Sequence, residues 1–306
     1  MTDVSHVYKA ANPKELDLWV EERHQNMTAL RYRIVKTLFS GQSAYQRIDV
    51  VETAGHGRML LNDGLVMISE RDEFVYHEMI AHVPLCVHPR PTRVLVIGGG
   101  DGGTVREVLK HPSVKECWLV EIDEMVIDAC KRYIPQTAAA LDDSRVRVLV
   151  TDGVEFVATT KEHFDIVLVD STDPIGPAAP LFGETFYGNV RRVLTDQGIV
   201  VSQAESPFYE SPTQVAFLQI LKNVFDRVNV YNFSNLTYPG GLWSFSFASR
   251  GICPLKDFND LRLADLREPL QYYNAGIHRS AFVLPEFMRR SVAGIVTPFE
   301  DRRHIS

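Results

Sequence analysis

From Arg93 onward the chain keeps one rhythm: a short apolar run, a turn rich in glycine or acid, then an amphipathic stretch. Parallel strands joined by crossover helices read this way, which confines the region to an open α/β sheet. Strands are expected over Arg93 to Ile97, Cys117 to Ile122, Val146 to Val150, Phe164 to Val169 and Ile199 to Gln203. Helices are expected over Val105 to Lys110, Met125 to Arg132, Val154 to Thr159 and Phe186 to Leu194. Further on, Thr213 to Phe225 reads as an amphipathic helix. Val228 to Phe233 and Leu242 to Ala248 read as strands flanking the turn Tyr238-Pro239-Gly240-Gly241, an antiparallel pair at the end of a mostly parallel sheet.

The chain has a different character before Pro84. Leu30 to Thr53 and Arg58 to Ile68 are β-rich and are broken by Ser40-Gly41, Gly55-His56-Gly57 and Asn62-Asp63-Gly64, which are hairpin signals. Glu73 to Val83 is expected to be a short helix, ended by the pre-proline position of Val83. The expected division is therefore a small N-terminal antiparallel β domain, residues 1–83. A Rossmann-like catalytic domain follows, residues 84–306.

Composition narrows the partners. A net charge of −7 with no block of Lys or Arg argues against nucleic acid or an anionic membrane. No apolar run approaches bilayer length, and Met1-Thr2-Asp3-Val4-Ser5 lacks the basic-then-apolar pattern of a secretory signal. Four cysteines, Cys86, Cys117, Cys130 and Cys253, show no Cys-x-x-Cys spacing, which disfavours a zinc site or a disulfide framework. A cytoplasmic protein acting on small molecules is expected.

The chemistry gathers where strands should leave the sheet. In open α/β sheets ligands bind outside the carboxyl ends of the strands. Behind the first strand lies Gly98-Gly99-Gly100-Asp101-Gly102-Gly103, containing Gly-x-Gly-x-x-Gly in a strand-to-helix setting. Glu121 ends the second strand, placed to grip a ribose diol, and Asp152 follows the third, placed to accept from an adenine amino group. Behind the fourth come Asp170-Ser171-Thr172-Asp173-Pro174. Each acid alone reads more readily as a helix cap or turn residue; one at each of three consecutive strand ends is harder to dismiss. Asp101 separates this turn from an ordinary dinucleotide or methyl-donor site. Its charge would repel a pyrophosphate or a methionine carboxylate by on the order of several kcal/mol in a partly desolvated site, and would favour an ammonium. The ligand of the turn is thus expected to be a nucleoside with a cationic tail.

Other residues have plain structural readings. Tyr76 and His77 fit core packing and a surface imidazole. Glu70, Asp72 and Glu73 fit a solvated helix start, and Trp243, Phe245 and Phe247 the buried face of a strand.

Taken with Glu70-Arg71-Asp72-Glu73-Phe74-Val75-Tyr76-His77-Glu78-Met79, these motifs resemble spermidine synthases, the polyamine aminopropyltransferase family. The resemblance continues through Leu61-Asn62-Asp63-Gly64, Thr237-Tyr238-Pro239-Gly240-Gly241, Tyr272-Tyr273-Asn274, His278 and Ala281-Phe282-Val283-Leu284-Pro285, from about Leu18 to about Arg290. It implies a small β domain, serving oligomerisation and as a lid on the site, on a methyltransferase-like Rossmann domain. The implied reaction transfers an aminopropyl group from decarboxylated S-adenosylmethionine to a diamine, most simply putrescine, releasing 5'-methylthioadenosine. By the same resemblance Gln46, Glu121, Asp152, Gly153 and Pro177 hold the nucleoside and Asp101 the aminopropyl ammonium. Tyr76, His77, Asp173, Gln203 and Tyr238 surround the diamine, with Asp170 as general base. No metal or cofactor is implied, and a homodimer or homotetramer is expected. The turn Tyr238-Pro239-Gly240-Gly241-Leu242-Trp243 departs from the commonest pattern, which leaves cadaverine, agmatine or spermidine open as acceptors. An S-adenosylmethionine-dependent methyltransferase and a non-catalytic nucleoside-binding protein are the competing classes.

Overall fold

The computed structural model describes residues 17–174 and 176–299, without the side chain of Pro177. Its N-terminal part is a five-stranded antiparallel sheet of β1 (Trp19–His24), β2 (Thr28–Gln42), β3 (Arg47–Thr53), β4 (Gly57–Asn62) and β5 (Leu65–Ser69), in that spatial order. Asp63 and Gly64, with φ of 50° and 84°, make the two-residue turn between β4 and β5 that positive φ favours. Two details differ from expectation. Ser40-Gly41 does not break a strand, because β2 runs on to Gln42 and turns only at residues 43–46. β1 was not expected, since Trp19-Val20-Glu21-Glu22-Arg23-His24 carries only two apolar residues.

The alternation of β3 and β4 splits their side chains between two cores. Ile48, Val50 and Leu60 join the large core under the second sheet, while Val51, Met59 and Leu61 pack with Tyr32 and Val66 on the opposite face. β1 also comes back to contact β5. The small sheet thus covers much of both faces within one chain.

α1 (Glu73–Val87) follows and does not stop at Val83. Pro84 deletes one helical N–H, which is ordinarily costly. Here every residue of α1 except Phe74 is buried, and the Pro84 carbonyl accepts from His88 N at 2.9 Å, so packing carries the helix through.

The second sheet has seven strands. β6 (Arg93–Gly98), α2 (Gly103–Leu109), β7 (Glu116–Glu121), α3 (Glu124–Tyr133), the single turn α4 (Pro135–Ala138) and β8 (Val146–Val150) form its first half. α5 (Gly153–Thr159), β9 (Phe164–Asp170), α6 (Glu184–Val193), β10 (Leu194–Gln203), α7 (Ser211–Val224), β11 (Arg227–Ser234) and β12 (Leu242–Ser249) form the second. The short α8 (Ala275–Ala281) and α9 (Glu286–Ser291) close the described chain. The spatial order is β11-β12-β10-β9-β6-β7-β8, with β11 and β12 antiparallel to their neighbours and the remaining pairs parallel. This is the expected Rossmann-like fold behind a small antiparallel sheet. Each strand sorts its side chains by parity: Val94 and Val96 of β6 face the core shared with α1, α2 and α3, while Leu95 and Ile97 face α5, α6 and α7.

From β6 the chain winds outward to β7 and β8, then returns to β9 on the other side. The order reverses between β6 and β9, and a crevice opens at their carboxyl ends. There Gly98 pairs with Asp170.

Candidate active site

The crevice is a deep cavity bounded on one side by the glycine turn and the 170–173 segment, and on the other by the N-terminal sheet. Its walls include Glu22, Gln46, Tyr76, His77, Asp101, Glu121, Asp170, Asp173, Gln203, Tyr238 and Trp243. Most residues singled out from sequence therefore meet in one place. Asp152 and Gly153 are not among these wall residues: Asp152 is exposed and caps α5, its Oδ1 accepting from Val154 N at 2.7 Å. Pro177's side chain lies outside the described residues.

The glycines answer first to neighbouring atoms of the protein itself. A Cβ on Gly99 would sit 2.6 Å from Asp170 Oδ2, and one on Gly98 would sit 2.1 Å from the Asp170 carbonyl; both have positive φ. The turn is thus shaped to let Asp170 lie against it. A Cβ on Gly103 would meet the His77 ring at 2.1 Å, so the first turn of α2 packs on that imidazole.

Asp101 accepts from Gly103 N at 2.8 Å and lies 3.3 Å from His77 Nε2. His77 Nδ1 is 2.5 Å from Glu73, which Arg106 grips at 2.7 and 2.8 Å. Carboxylate, imidazolium, carboxylate and guanidinium alternate along this row. Burial works against the charge on Asp101, but His77, Gly103 N and Arg106 outweigh it and hold the carboxyl below its usual range. Burial alone would likewise discharge His77; Asp101 and Glu73 instead push it up to about 10. Asp72 and Glu73 are correspondingly buried, not a solvated helix start, and His77 is not a surface imidazole. Asp72 accepts from Leu236 N, Thr237 N and Thr237 Oγ1 at 2.8 to 3.0 Å, which anchors the loop carrying Tyr238.

Asp170 accepts from Thr104 Oγ1 at 2.6 Å. Burial, and after it the like charge of Asp101, raises its carboxyl above the ordinary value. Burial and the nearby Asp170 both hold Tyr76 in its phenol form, as they do Tyr238. The Tyr238 hydroxyl donates to Met67 O at 2.9 Å, which leaves its oxygen to accept from a ligand.

Glu121 accepts from Gly100 N at 3.2 Å and Asp123 N at 2.9 Å, and burial raises it to about 7. Gln46 donates to Asp123 at 3.1 Å, joining the N-terminal sheet to the end of β7. Asp173 accepts from Gln203 Nε2 at 3.0 Å and is raised by burial.

Three wall or supporting residues carried no signal in the sequence, Glu22, His24 and Thr104, and Trp243, expected on the buried face of a strand, also lines the cavity. Glu22 and His24 sit on the unexpected β1. Glu22 is pushed up to about 7 by burial, with Asp173 adding to the shift. The Trp243 indole N–H is buried without a partner among the described residues. Tyr273 and His278, part of the resemblance, lie elsewhere: Tyr273 Oη meets His278 Nδ1 at 2.6 Å and His278 Nε2 is 2.8 Å from Pro254 O, a buried structural link.

Residues 73–259 match the model of the spermine/spermidine synthase domain, and residues 18–70 match that of the spermidine synthase tetramerisation domain. The chain belongs to the spermine/spermidine synthase family. It is 43% identical over 279 residues to the polyamine aminopropyltransferase of Caldicellulosiruptor saccharolyticus, an alignment spanning 91% of this chain and 99% of that protein. With the Bacillus subtilis polyamine aminopropyltransferase it shares 43% identity over 272 residues, 89% and 98% of the two chains. Spermidine synthase from Thermotoga maritima superposes with a TM-score of 0.87 at 40% identity, covering 95% of this chain and 99% of that one. A spermidine synthase in complex with the transition-state analogue AdoDATO superposes with a TM-score of 0.89, also at 40% identity, covering 94% and 98%. Four cysteines are free and buried, and no helix among the described residues is long and apolar enough to cross a membrane.

Proposed function

We propose that the chain transfers the aminopropyl group of decarboxylated S-adenosylmethionine to putrescine, giving spermidine and 5'-methylthioadenosine, with Asp170 as general base. Asp101 carries this reading: a buried carboxylate held ionised inside the glycine turn, beside a second carboxylate at the switch point, suits a nucleoside with an ammonium tail. The AdoDATO complex of a structural neighbour and the naming of the relatives support the same reaction class.

The sulfonium is already a good leaving group, so the protein's task is to deprotonate and align the amine. The amine proton passes to Asp170, whose raised carboxyl is a better acceptor than an ordinary aspartate. The freed nitrogen lone pair attacks the carbon next to sulfur, and the C–S bond breaks with its electrons on sulfur, which becomes the thioether of methylthioadenosine. Asp173 holds the amine by a charge-assisted hydrogen bond while the Tyr76 and Tyr238 hydroxyls orient it. Gln46, Glu121, Asp152, Gly153 and Pro177 take the nucleoside, and His77 and Gln203 complete the amine side. Neither cofactor nor metal is required in this scheme.

Incubation with decarboxylated S-adenosylmethionine and putrescine, cadaverine, agmatine or spermidine, read by mass as methylthioadenosine, tests it. Putrescine should turn over fastest and intact S-adenosylmethionine should yield nothing. Asp170→Asn should lower turnover by roughly a hundred- to ten-thousand-fold, with methylthioadenosine affinity little changed. Faster turnover of another amine would reassign the acceptor, and near-normal turnover by Asp170→Asn would remove the base.

A further inference from the structure

Behind the wall residue Gln203 lies Glu205, which no motif drew attention to. It is 1% exposed and has a φ of 66°, in the left-handed region that a glutamate rarely enters. Its Oε2 is buried and has no partner among the described residues. Strained backbone and an orphaned buried oxygen at one residue, next to a substrate cavity, call for a reason.

The hydrogen bonds of its N and Oε1 supply a reason for the backbone. Glu205 N donates to Gln203 Oε1 at 2.9 Å, and Glu205 Oε1 accepts from Gln203 Nε2 at 3.3 Å. A backbone N–H can only donate, so the amide atom facing it must be the oxygen, which fixes the orientation of the Gln203 amide by chemistry. The second hydrogen on Nε2 then goes to Asp173 Oδ1 at 3.0 Å. Both donors of Gln203 are consumed inside the protein. What it has left to offer the cavity is a lone pair on Oε1.

We infer that Glu205 is a positioning residue for the amine subsite: it clasps the Gln203 amide at both ends, so that Gln203 steadies Asp173 and presents only an acceptor to the incoming nitrogen. The left-handed backbone is what lets one residue supply both arms. A flipped amide would put an NH2 group against the substrate ammonium and turn a carbonyl toward Asp173. The clasp thereby selects a donor-rich, cationic nitrogen. This rests on the aminopropyl-transfer reading for the identity of the amine, not for the geometry.

The test uses Glu205→Gly, Glu205→Gln and Gln203→Ala, with putrescine affinity measured by calorimetry in the presence of methylthioadenosine alongside steady-state kinetics. Glycine accepts the left-handed backbone, so Glu205→Gly removes the side-chain arm without adding strain. It should raise the putrescine KM and Kd by about tenfold, the scale of one lost hydrogen-bonding arm, with methylthioadenosine affinity unchanged. Glu205→Gln, whose amide oxygen can still accept from Gln203 Nε2, should restore affinity to within about twofold of wild type. In a Gln203→Ala background Glu205→Gly should have no further effect. The proposal is overturned if Glu205→Gly leaves putrescine affinity intact, weakens methylthioadenosine equally, or adds its full factor in the Gln203→Ala background. Absence of turnover by the wild-type protein would instead bring down the aminopropyl-transfer reading, while the calorimetric comparison would still decide the clasp.

Discussion

At the scale of single residues the site turns on how Asp101 keeps its charge. It ends the alternating row Arg106, Glu73, His77, Asp101, so a ligand ammonium arriving beside it extends the alternation by one. The carboxylate of intact S-adenosylmethionine would instead meet like charge. Asp101→Asn should weaken the decarboxylated donor by on the order of a hundredfold and narrow its advantage over the intact one. Methylthioadenosine, with no charged tail, should bind nearly as before. Calorimetry with the three ligands checks this, and equal loss of all three would mean that Asp101 supports the turn and not the tail. The same variant carries a pH signature. In the proposed role of general base Asp170 has to be ionised, and its carboxyl is raised by burial and next by Asp101, while the His77 cation lowers it. Asparagine at 101 removes the raising charge and leaves the lowering one, so the acid limb of kcat should move to lower pH. A limb that stays in place, or moves up, would show that Asp101 does not act on Asp170.

At the scale of elements, α1 and α2 form a clamp: the His77 ring of one lies on the Gly103 backbone of the other. Gly103→Ala should force them apart, at a cost of about 1–3 kcal/mol by overpacking, and draw His77 from Asp101. His77 is raised from 6.5 to about 10, so its pairing contributes stability that is complete below pH 6.5 and lost as pH rises through about 10. The deficit of Gly103→Ala, read as a Tm difference from wild type, should therefore be largest at and below pH 6.5 and shrink toward pH 10; a deficit independent of pH would mean the pair survives. These elements also show how far the sequence could be read. The βαβ rhythm from Arg93 announced the second sheet because alternating parity and glycine turns are local properties. α1 overran its expected end because the burial that carries Pro84 is tertiary. β1 was invisible because Glu21, Glu22 and Arg23 give it no apolar run, and with it went Glu22 and His24. The strand-end acids at Asp101, Glu121 and Asp170 were legible since topology alone assigns such positions to a crevice. The buried Glu73 and Arg106 were not, as nothing in a run of charges says that the next helix will cover it.

At the scale of the whole molecule, the question is what the small sheet does beyond roofing the cavity. Tyr32, Val51, Met59, Leu61 and Val66 bury much of its second face within the chain. The apolar surface left over is along β1, the β1–β2 turn and β2: Trp19 is 51% exposed, Val35 65% and Met27 69%. β2 also slips register against β3 on both sides of Lys36 and Thr37, irregularities of the kind that bend a strand and re-aim its side chains. Together with the match of residues 18–70 to a tetramerisation domain, this supports a homo-oligomer, dimer or tetramer, joined through the N-terminal sheet. Light scattering at micromolar concentration should give two or four times the chain mass of 34.6 kDa. Val35→Glu, which places a charge on the exposed strand without touching either core, should reduce the mass while methylthioadenosine affinity is kept, because Val35 is not among the cavity's wall residues. A wild-type monomer unaltered by ligand would refute the oligomer, and an unchanged mass for Val35→Glu would move the interface off β2.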